Sequence, residues 1–265
     1  MRDEGRGQTP LGLSSSDYDH LHMPPAPSLI PPQFVFFDLD DTLLDHRRAE
    51  RAALGDLHLS LAEHVGHHAL SALHEAYHAA NAPLWADFAA ARITADDLKR
   101  LRSERFLVAL GVTGLGAEAF SDAYLARYAT HWAWADGARE AFHRAANRTP
   151  VGVLTNGFRE QQRAKLARFP DIEARASAVV VSDEVGVMKP HRALFDHALA
   201  LAEQATGQRL APADILLVGD SLASDIEGAL GAGWQAVWIG GDADRAPRGV
   251  PVFATCTDWA RGFGG

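Results

Sequence analysis

Only one of the 265 residues is a cysteine, Cys256. A lone thiol closes no disulfide within the chain, so nothing points to an oxidising compartment. Cys256 reads as a small packing or surface residue. Long apolar runs are also missing, and none approaches the ~20 residues of a membrane span. The first residues carry Asp3 and Glu4 and no apolar stretch, unlike a secretory signal. The expected compartment is therefore the cytoplasm, with no membrane partner. Positive charge is in deficit as well, with 25 Lys and Arg against 34 Asp and Glu and a net charge of −9. Such a chain repels nucleic acid polymers and anionic membranes at long range. A small anionic ligand stays compatible, because the charges of a site act locally.

What is present is material for a core, since 47% of the residues are apolar. Residues 1–32, rich in Gly, Ser and Pro, bury little and are expected to be a disordered tail. Met23 is an alternative start to Met1. Order is expected from Phe34-Val35-Phe36-Phe37, a short apolar run that reads as a buried strand. Similar runs follow at Val151–Leu154, Ala178–Val181, Ile215–Val218 and Ala236–Ile239. Helical patterns at Arg159–Arg168, Pro190–Ala205 and Ser221–Ala232 fall between most of them. Strands alternating with helices imply an α/β fold whose parallel sheet is covered on both faces.

Residues 46–135 differ. They are rich in Ala, Leu, His and Arg, with apolar residues at helical spacing (Leu54, Leu57, Leu61, Val65) and no convincing strand. Gly111 to Gly116 and Pro83 are expected to punctuate the helices. The expected organisation is an α/β core from 33–45 and 136–265, with an all-helical insert at 46–135.

The chemistry-bearing residues gather after the strands. Asp38-Leu39-Asp40-Asp41-Thr42 follows the first, Thr155-Asn156-Gly157 the second, and Gly219-Asp220-Ser221 and then Asp225 the fourth. Lys189 precedes Pro190 at an expected helix start. In open parallel sheets, ligands bind beyond the carboxyl ends of the strands. Singly, each has an ordinary reading: turn chemistry, a helix cap, a surface lysine. Together and in this order they read as a site. Asp38, Asp40 and Asp220 repel one another unless a cation joins them, and hard oxygen ligands select Mg²⁺. A carboxylate in such a group can attack phosphorus, and a second one two residues along can move the leaving-group proton. Lys189 offers a point charge and Thr155 a hydroxyl donor. Gly157 would let the backbone approach a phosphate closely.

These segments resemble the four ordered motifs of haloacid dehalogenase-like hydrolases: Asp38 to Thr42, Thr155, Lys189, and Gly219-Asp220 through Asp225. The likeness covers about Phe34 to Gly241. It implies a Rossmann-like doubly wound parallel sheet with a helical cap inserted after motif one. By resemblance, Asp38 is the nucleophile and Asp40 the acid and base. Mg²⁺ would be held by Asp38, the Asp40 backbone carbonyl and Asp220. Asp225 would act through water or by holding Lys189, and Thr155, Asn156, Gly157 and Lys189 would bind phosphate. An acid at position 40 favours phosphate ester hydrolysis over dehalogenation, since a halide needs no proton. Position 41 is Asp where many relatives have Gly, and its side chain is expected to point away. Within the family, Leu154 to Phe158 with Gln161-Gln162, and Ser182 to Pro190, resemble cytosolic pyrimidine 5′-nucleotidases. The implied partner is a small phosphorylated metabolite, a pyrimidine nucleoside monophosphate, with a sugar phosphate or a broad set of esters as the alternative.

Other signals compete. His74-Glu75-Ala76-Tyr77-His78 matches the H-E-x-x-H pattern of zinc proteases, with Glu104 as a conceivable third ligand. It lies in a stretch crowded with His58, His64, His67 and His68, where chance matches arise, so a solvated helix face is the expected reading. Gly111 to Gly116 imitates a dinucleotide loop but follows a helix. Trp85, Phe88, Trp132 and Trp134 fit core packing, or stacking on a nucleobase. A non-catalytic binding protein on this fold is a third class, disfavoured because every expected catalytic side chain is present.

Overall fold

The computed structural model describes residues 29–263. Six parallel strands form one sheet in the order β3-β2-β1-β4-β5-β6: β1 (Phe34–Phe37), β2 (Val151–Thr155), β3 (Ala176–Val181), β4 (Ile215–Gly219), β5 (Gln235–Ile239) and β6 (Val252–Phe253). The first five lie where the apolar runs place them. Successive side chains of a strand face opposite sides, and here both sides are buried. Val35, Phe37, Val153, Leu216 and Val218 pack into one core; Phe34, Phe36, Leu154, Ile215 and Leu217 pack into the other. That is why the strands read as unbroken apolar runs rather than alternating ones.

The first core is closed by α6 (Ala138–Ala146) and α12 (Cys256–Gly262), through Phe142 and Trp259 among others. The second is closed by α10 (Arg192–Thr206) and α11 (Glu227–Gly231), through Leu194, Phe195, Ala198 and Ala229. Helices α7 (Arg159–Arg168), α8 (Pro170–Arg175) and α9 (Ser182–Val185) complete the crossovers between β2 and α10. The strand order reverses direction at β1, which stands between β2 and β4. This is the Rossmann-like arrangement, and the crevice at such a reversal is where ligands bind.

Between β1 and α6 the chain forms five helices: α1 (His46–Ser60), α2 (Ala62–Val65), α3 (Leu70–Ala89), α4 (Ala95–Ala109) and α5 (Ala117–Thr130). Their shared core contains Leu54, Leu57, Val65, Tyr77, Phe106, Phe120, Tyr124 and Tyr128. Helix α1 starts where the Asp45 carboxylate accepts from the Arg48 amide, and α4 opens with a Thr94–Asp97 capping box. The two connections to the sheet pair with each other: Asp45 N–H donates to Ala133 O at 3.0 Å, and Ala135 N–H to Leu43 O at 2.9 Å.

Several expectations are corrected. Pro83 does not end a helix; it lies inside α3. A proline there costs about 3 kcal/mol. The burial of Tyr77 and Leu84 on either side of it anchors the helix nonetheless. The expected helix from Ser221 divides into a wide turn at Leu222–Ile226 and the short α11. The Asp225 carboxylate turns back to the Ser221 amide at 3.0 Å there, and widened turns of this kind occur at functional sites. Helix α10 starts at Arg192, two residues after Pro190, with the His191 side chain accepting from Ala193 N–H. Of the expected disordered tail, residues 1–28 lie outside the described residues. Ile30 is tied down, its backbone exchanging bonds of 2.8 and 2.9 Å with the Gln235 side chain, while Leu29 packs on the first core. The two-residue β6 has no counterpart among the expected strands.

Gly152 sits mid-strand between Phe36 and Ala178. A Cβ added there would stand 2.6 Å from Phe36 Cε1 and 2.7 Å from the Ala178 carbonyl oxygen. Gly152→Ala should therefore destabilise the protein by about 1–3 kcal/mol through overpacking. A denaturant melt with an unchanged midpoint would contradict this close packing.

Candidate active site

The site is built at the carboxyl ends of β1, β2 and β4. Asp38 follows β1, and its amide donates to Val218 O of the neighbouring β4 at 2.9 Å, so sheet pairing fixes its backbone. Facing it is the Lys189 ammonium, buried and bonded to three acceptors. These are Asp38 Oδ1 at 2.5 Å, Asp225 Oδ1 at 2.7 Å and Leu154 O at 2.8 Å. An ammonium has three N–H donors, and all three are used. Asn156 holds the lysine backbone from both sides, accepting from Lys189 N–H at 2.8 Å and donating to Lys189 O at 3.0 Å.

Carboxylate oxygens of Asp38, Asp220 and Asp225 lie within 4.8 Å of one another. Burial pushes the Asp38 carboxyl well above the usual range; Lys189 opposes this, and Asp225 and Asp220 add to it. Asp220 is pushed up to about 7, by burial and then by repulsion from Asp225 and Asp41. Burial also works against the charge on Lys189, but Asp225 and Asp38 outweigh it and keep the amine protonated. Oxygen donors that hold protons this strongly when left to themselves suit a small hard cation, which would take the protons' place. The donor set thus fits Mg²⁺.

Asp40 is handled separately. Its side chain does not join the acidic group. It accepts from the Lys165 ammonium at 2.6 and 2.8 Å, and from Gln162 Nε2 at 2.9 Å. Burial would raise this carboxyl, but Lys165 first and His46 next overcome it and hold the group below its ordinary value. Gln162 Nε2 also reaches the fully buried Thr155 hydroxyl at 2.8 Å. The Gly157 amide donates to Ser182 Oγ at 3.1 Å. Its φ of 147° and the Gln162 side chain, 2.8 Å from where a Cβ would stand, explain the glycine. Asp41 adopts a left-handed φ of 62°. Its carboxylate accepts from the Arg47 amide at 2.9 Å and lies 3.2 Å from the Arg47 guanidinium, which also stands 3.5 Å from Asp220.

The expected residues therefore gather, with Asp38, Lys189, Asp220 and Asp225 in one group and Asp40 and Thr155 in an adjoining one. Lys165 escapes the sequence reading. A signal for it exists: α7 reads REQQRAKLAR, too polar to pack by an apolar face alone, so polar side chains must turn inward. The H-E-x-x-H run forms no metal group. Glu75 and His78 are exposed, and among the described residues the group of three metal-capable side chains found is the aspartate one. Glu104 pairs with Arg100. Gly111 to Gly116 fall between α4 and α5. Trp85 and Phe88 pack on Phe158, with ring centres 5.3 and 5.5 Å apart, and Trp134 packs on the first core. Cys256 is buried, its thiol pushed up to about 12 by that burial.

A doubly wound sheet thus carries clustered carboxylates and a buried lysine at its switch point. The chain belongs to the haloacid dehalogenase-like hydrolases, whose family model matches residues 33–233. It is therefore an enzyme, and its curated relatives include phosphoric monoester hydrolases. It is 33% identical to pyrimidine 5′-nucleotidase YjjG of Escherichia coli over 66% of this chain and 73% of that one. It is 30% identical to phosphoserine phosphatase of Thermus thermophilus over 78% and 88%. The magnesium-bound structure of the HAD-hydrolase YfnB of Bacillus subtilis shares the fold, with a TM-score of 0.72 and 22% identity over 89% of this chain and all of that one. Among the described residues no helix is long and apolar enough to cross a membrane.

Asp220 binds its proton more tightly when folded, at about 7 against 3.8 for the free group. Its contribution is thus present in full below the free value and lost as pH rises through about 7. Kept free of divalent metal, the wild type should lose stability over that window, and Asp220→Asn should show a flatter profile and a higher Tm at ~pH 8. Calorimetry in chelator across this range tests it; an equally steep fall in the variant would contradict the assignment.

Proposed function

We propose that the protein is a Mg²⁺-dependent phosphatase that hydrolyses small phosphomonoesters through an aspartyl-phosphate on Asp38. The observation that carries this reading is the division of two carboxyls between two lysines, Asp38 with Lys189 and Asp40 with Lys165. It gives one carboxyl to attack and a separate one to move a proton. Asp38, the Asp40 carbonyl and Asp220 would hold the Mg²⁺, which supplies positive charge between an anionic nucleophile and an anionic phosphoryl group. Asp225 anchors Lys189. Lys189 would lend its positive charge to the phosphoryl group while its N–H donors stay on Asp38, Asp225 and Leu154 O, and the Thr155 hydroxyl would turn to a phosphoryl oxygen, with Asn156 and Gly157 shaping the loop.

In the first half, Asp38 Oδ bonds to phosphorus as the ester P–O bond breaks, and Asp40 gives its proton to the leaving oxygen. A phosphoryl anion brought beside Asp40 favours its protonated form against the pull of Lys165. In the second half, Asp40 takes a proton from the water that attacks phosphorus, and the Asp38–phosphorus bond breaks to release phosphate. A dehalogenase needs no such acid, so Asp40 favours the phosphatase reading.

The substrate we favour is a pyrimidine nucleoside 5′-monophosphate. The 33% identity to a pyrimidine 5′-nucleotidase supports it, as does a cavity of about 230 Å³ with Trp132, Phe158 and Lys99 in its wall, suited to a flat base. The similarity to a phosphoserine phosphatase supports the alternative, a sugar phosphate or a broad set of esters. The helical insert acts in this reading as a cap that closes over the site and excludes water. The composition favours the cytoplasm.

Phosphate release measured with Mg²⁺ over nucleotides, sugar phosphates and phosphoserine should show a preference for pyrimidine monophosphates. A preference for sugar phosphates would remove the narrow substrate and leave the chemistry. Asp38→Asn should lose about 10⁴-fold or more in kcat while keeping its fold; activity surviving that change would refute the nucleophile. Mg²⁺ should raise the wild-type Tm and leave that of Asp220→Asn unchanged.

A further inference from the structure

The Lys165 ammonium is a buried cation devoted to one partner. Its side chain is 2% exposed, and its hydrogen bonds go to the two oxygens of Asp40, at 2.6 and 2.8 Å. Lysine is seldom fully buried without a paired charge, and fixing so flexible a chain costs rotamer freedom. The surroundings restrain it further. The Tyr128 ring centre lies 5.3 Å from the ammonium and that of Trp132 6.0 Å away, both within cation–π reach. One turn back on the same helix, Gln162 bonds Asp40 Oδ2, the Thr155 hydroxyl and the Asn156 carbonyl. Asp40 is thus fixed at both oxygens by groups outside the Asp38–Lys189–Asp225 group.

We propose that Lys165 is a positioning residue for this reaction, holding Asp40 in the orientation from which it protonates the leaving oxygen. The inference rests on the reading of Asp40 as the acid. When the ester P–O bond breaks, the Asp40 proton passes to the leaving oxygen and the new carboxylate stays bonded to Lys165. When water attacks, a water proton returns to Asp40 and the P–O bond to Asp38 breaks. Lys165 keeps its own protons throughout. The two lysines have separate duties, and the nucleophile and the acid do not compete for one cation.

A residue that merely staples α7 to the loop after β1 would affect all substrates alike. One that positions the acid affects those whose leaving group needs a proton. The test compares p-nitrophenyl phosphate, whose phenolate leaves unaided, with glycerol 3-phosphate, whose alkoxide does not. Lys165→Met should lower kcat about 100-fold on the alkyl ester and only about threefold on the aryl ester, as general acid catalysis is worth 10²–10⁴-fold. Asp40→Asn should show the same split. The double variant should be no slower than Asp40→Asn by more than about twofold, since the two act as one unit. Equal losses on both esters, or multiplied losses in the double variant, would overturn the proposal. If Lys165→Met does not fold, Lys165→Gln, which drops the charge and keeps a polar end, should show a split of the same sign, and its absence would be equally decisive. A wild type that releases phosphate from neither ester would sink the phosphatase reading itself; a wild type that cleaves both without the split in the variants sinks only the role of Lys165.

Discussion

The ammonium of Lys189 is the interaction on which the rest of the site depends. It stands between two buried carboxylates and a strand carbonyl. Removing one partner from such an arrangement leaves an uncompensated buried charge, which costs about 3–5 kcal/mol. Each partner comes from a different segment: Asp38 from the end of β1, Leu154 from β2, and Asp225 from the wide turn after β4. The lysine therefore joins side chains and a carbonyl at the carboxyl ends of three neighbouring strands. The turn at Leu222–Ile226 follows from this tie, because Asp225 must point back at Lys189 and the Ser221 amide rather than along a regular helix.

The sheet supplies the complementary constraint. With both faces packed, a one-residue slip of a strand would exchange the side chains of the two cores and undo the packing of each. Asp38 is then fixed relative to Val218 by a backbone bond, and Asp220 follows two residues after Val218. The carboxylates are thus forced together by the packing of Phe34 to Phe37 and Ile215 to Val218. The raised proton affinities of Asp38 and Asp220 are the electrostatic cost of that arrangement, which Lys189 opposes.

Much of this was legible in the sequence. Strands buried on both faces announce themselves as apolar runs, and the first, second and fourth of these runs lead straight into Asp38, Thr155 and Gly219-Asp220. Pro83 misled because local preference gave way to the packing of α3 around it. Lys165 was hidden for a different reason. Its contact with Asp40 spans 125 residues of sequence, and a lysine in a polar helix looks like any solvated one. Gly157 has a structural reason that no local pattern announces: it makes room for Gln162, five residues on, and holds a φ of 147°.

The paired connections between the helical insert and the sheet have a wider consequence. Leu43 to Asp45 and Ala133 to Ala135 form a short two-stranded ribbon, and its first arm begins only a few residues after Asp40. The pair of connections that carries the insert is therefore also the mount of the Asp40 carboxyl. On the insert side, Tyr128 and Trp132 close around the very lysine that grips that carboxyl. On the function proposed above, selection and chemistry would share this one mount: a sequence change in the insert that alters which molecules fit would also move the Asp40 carboxyl, and new specificity on this scaffold would have to carry the ribbon along with it.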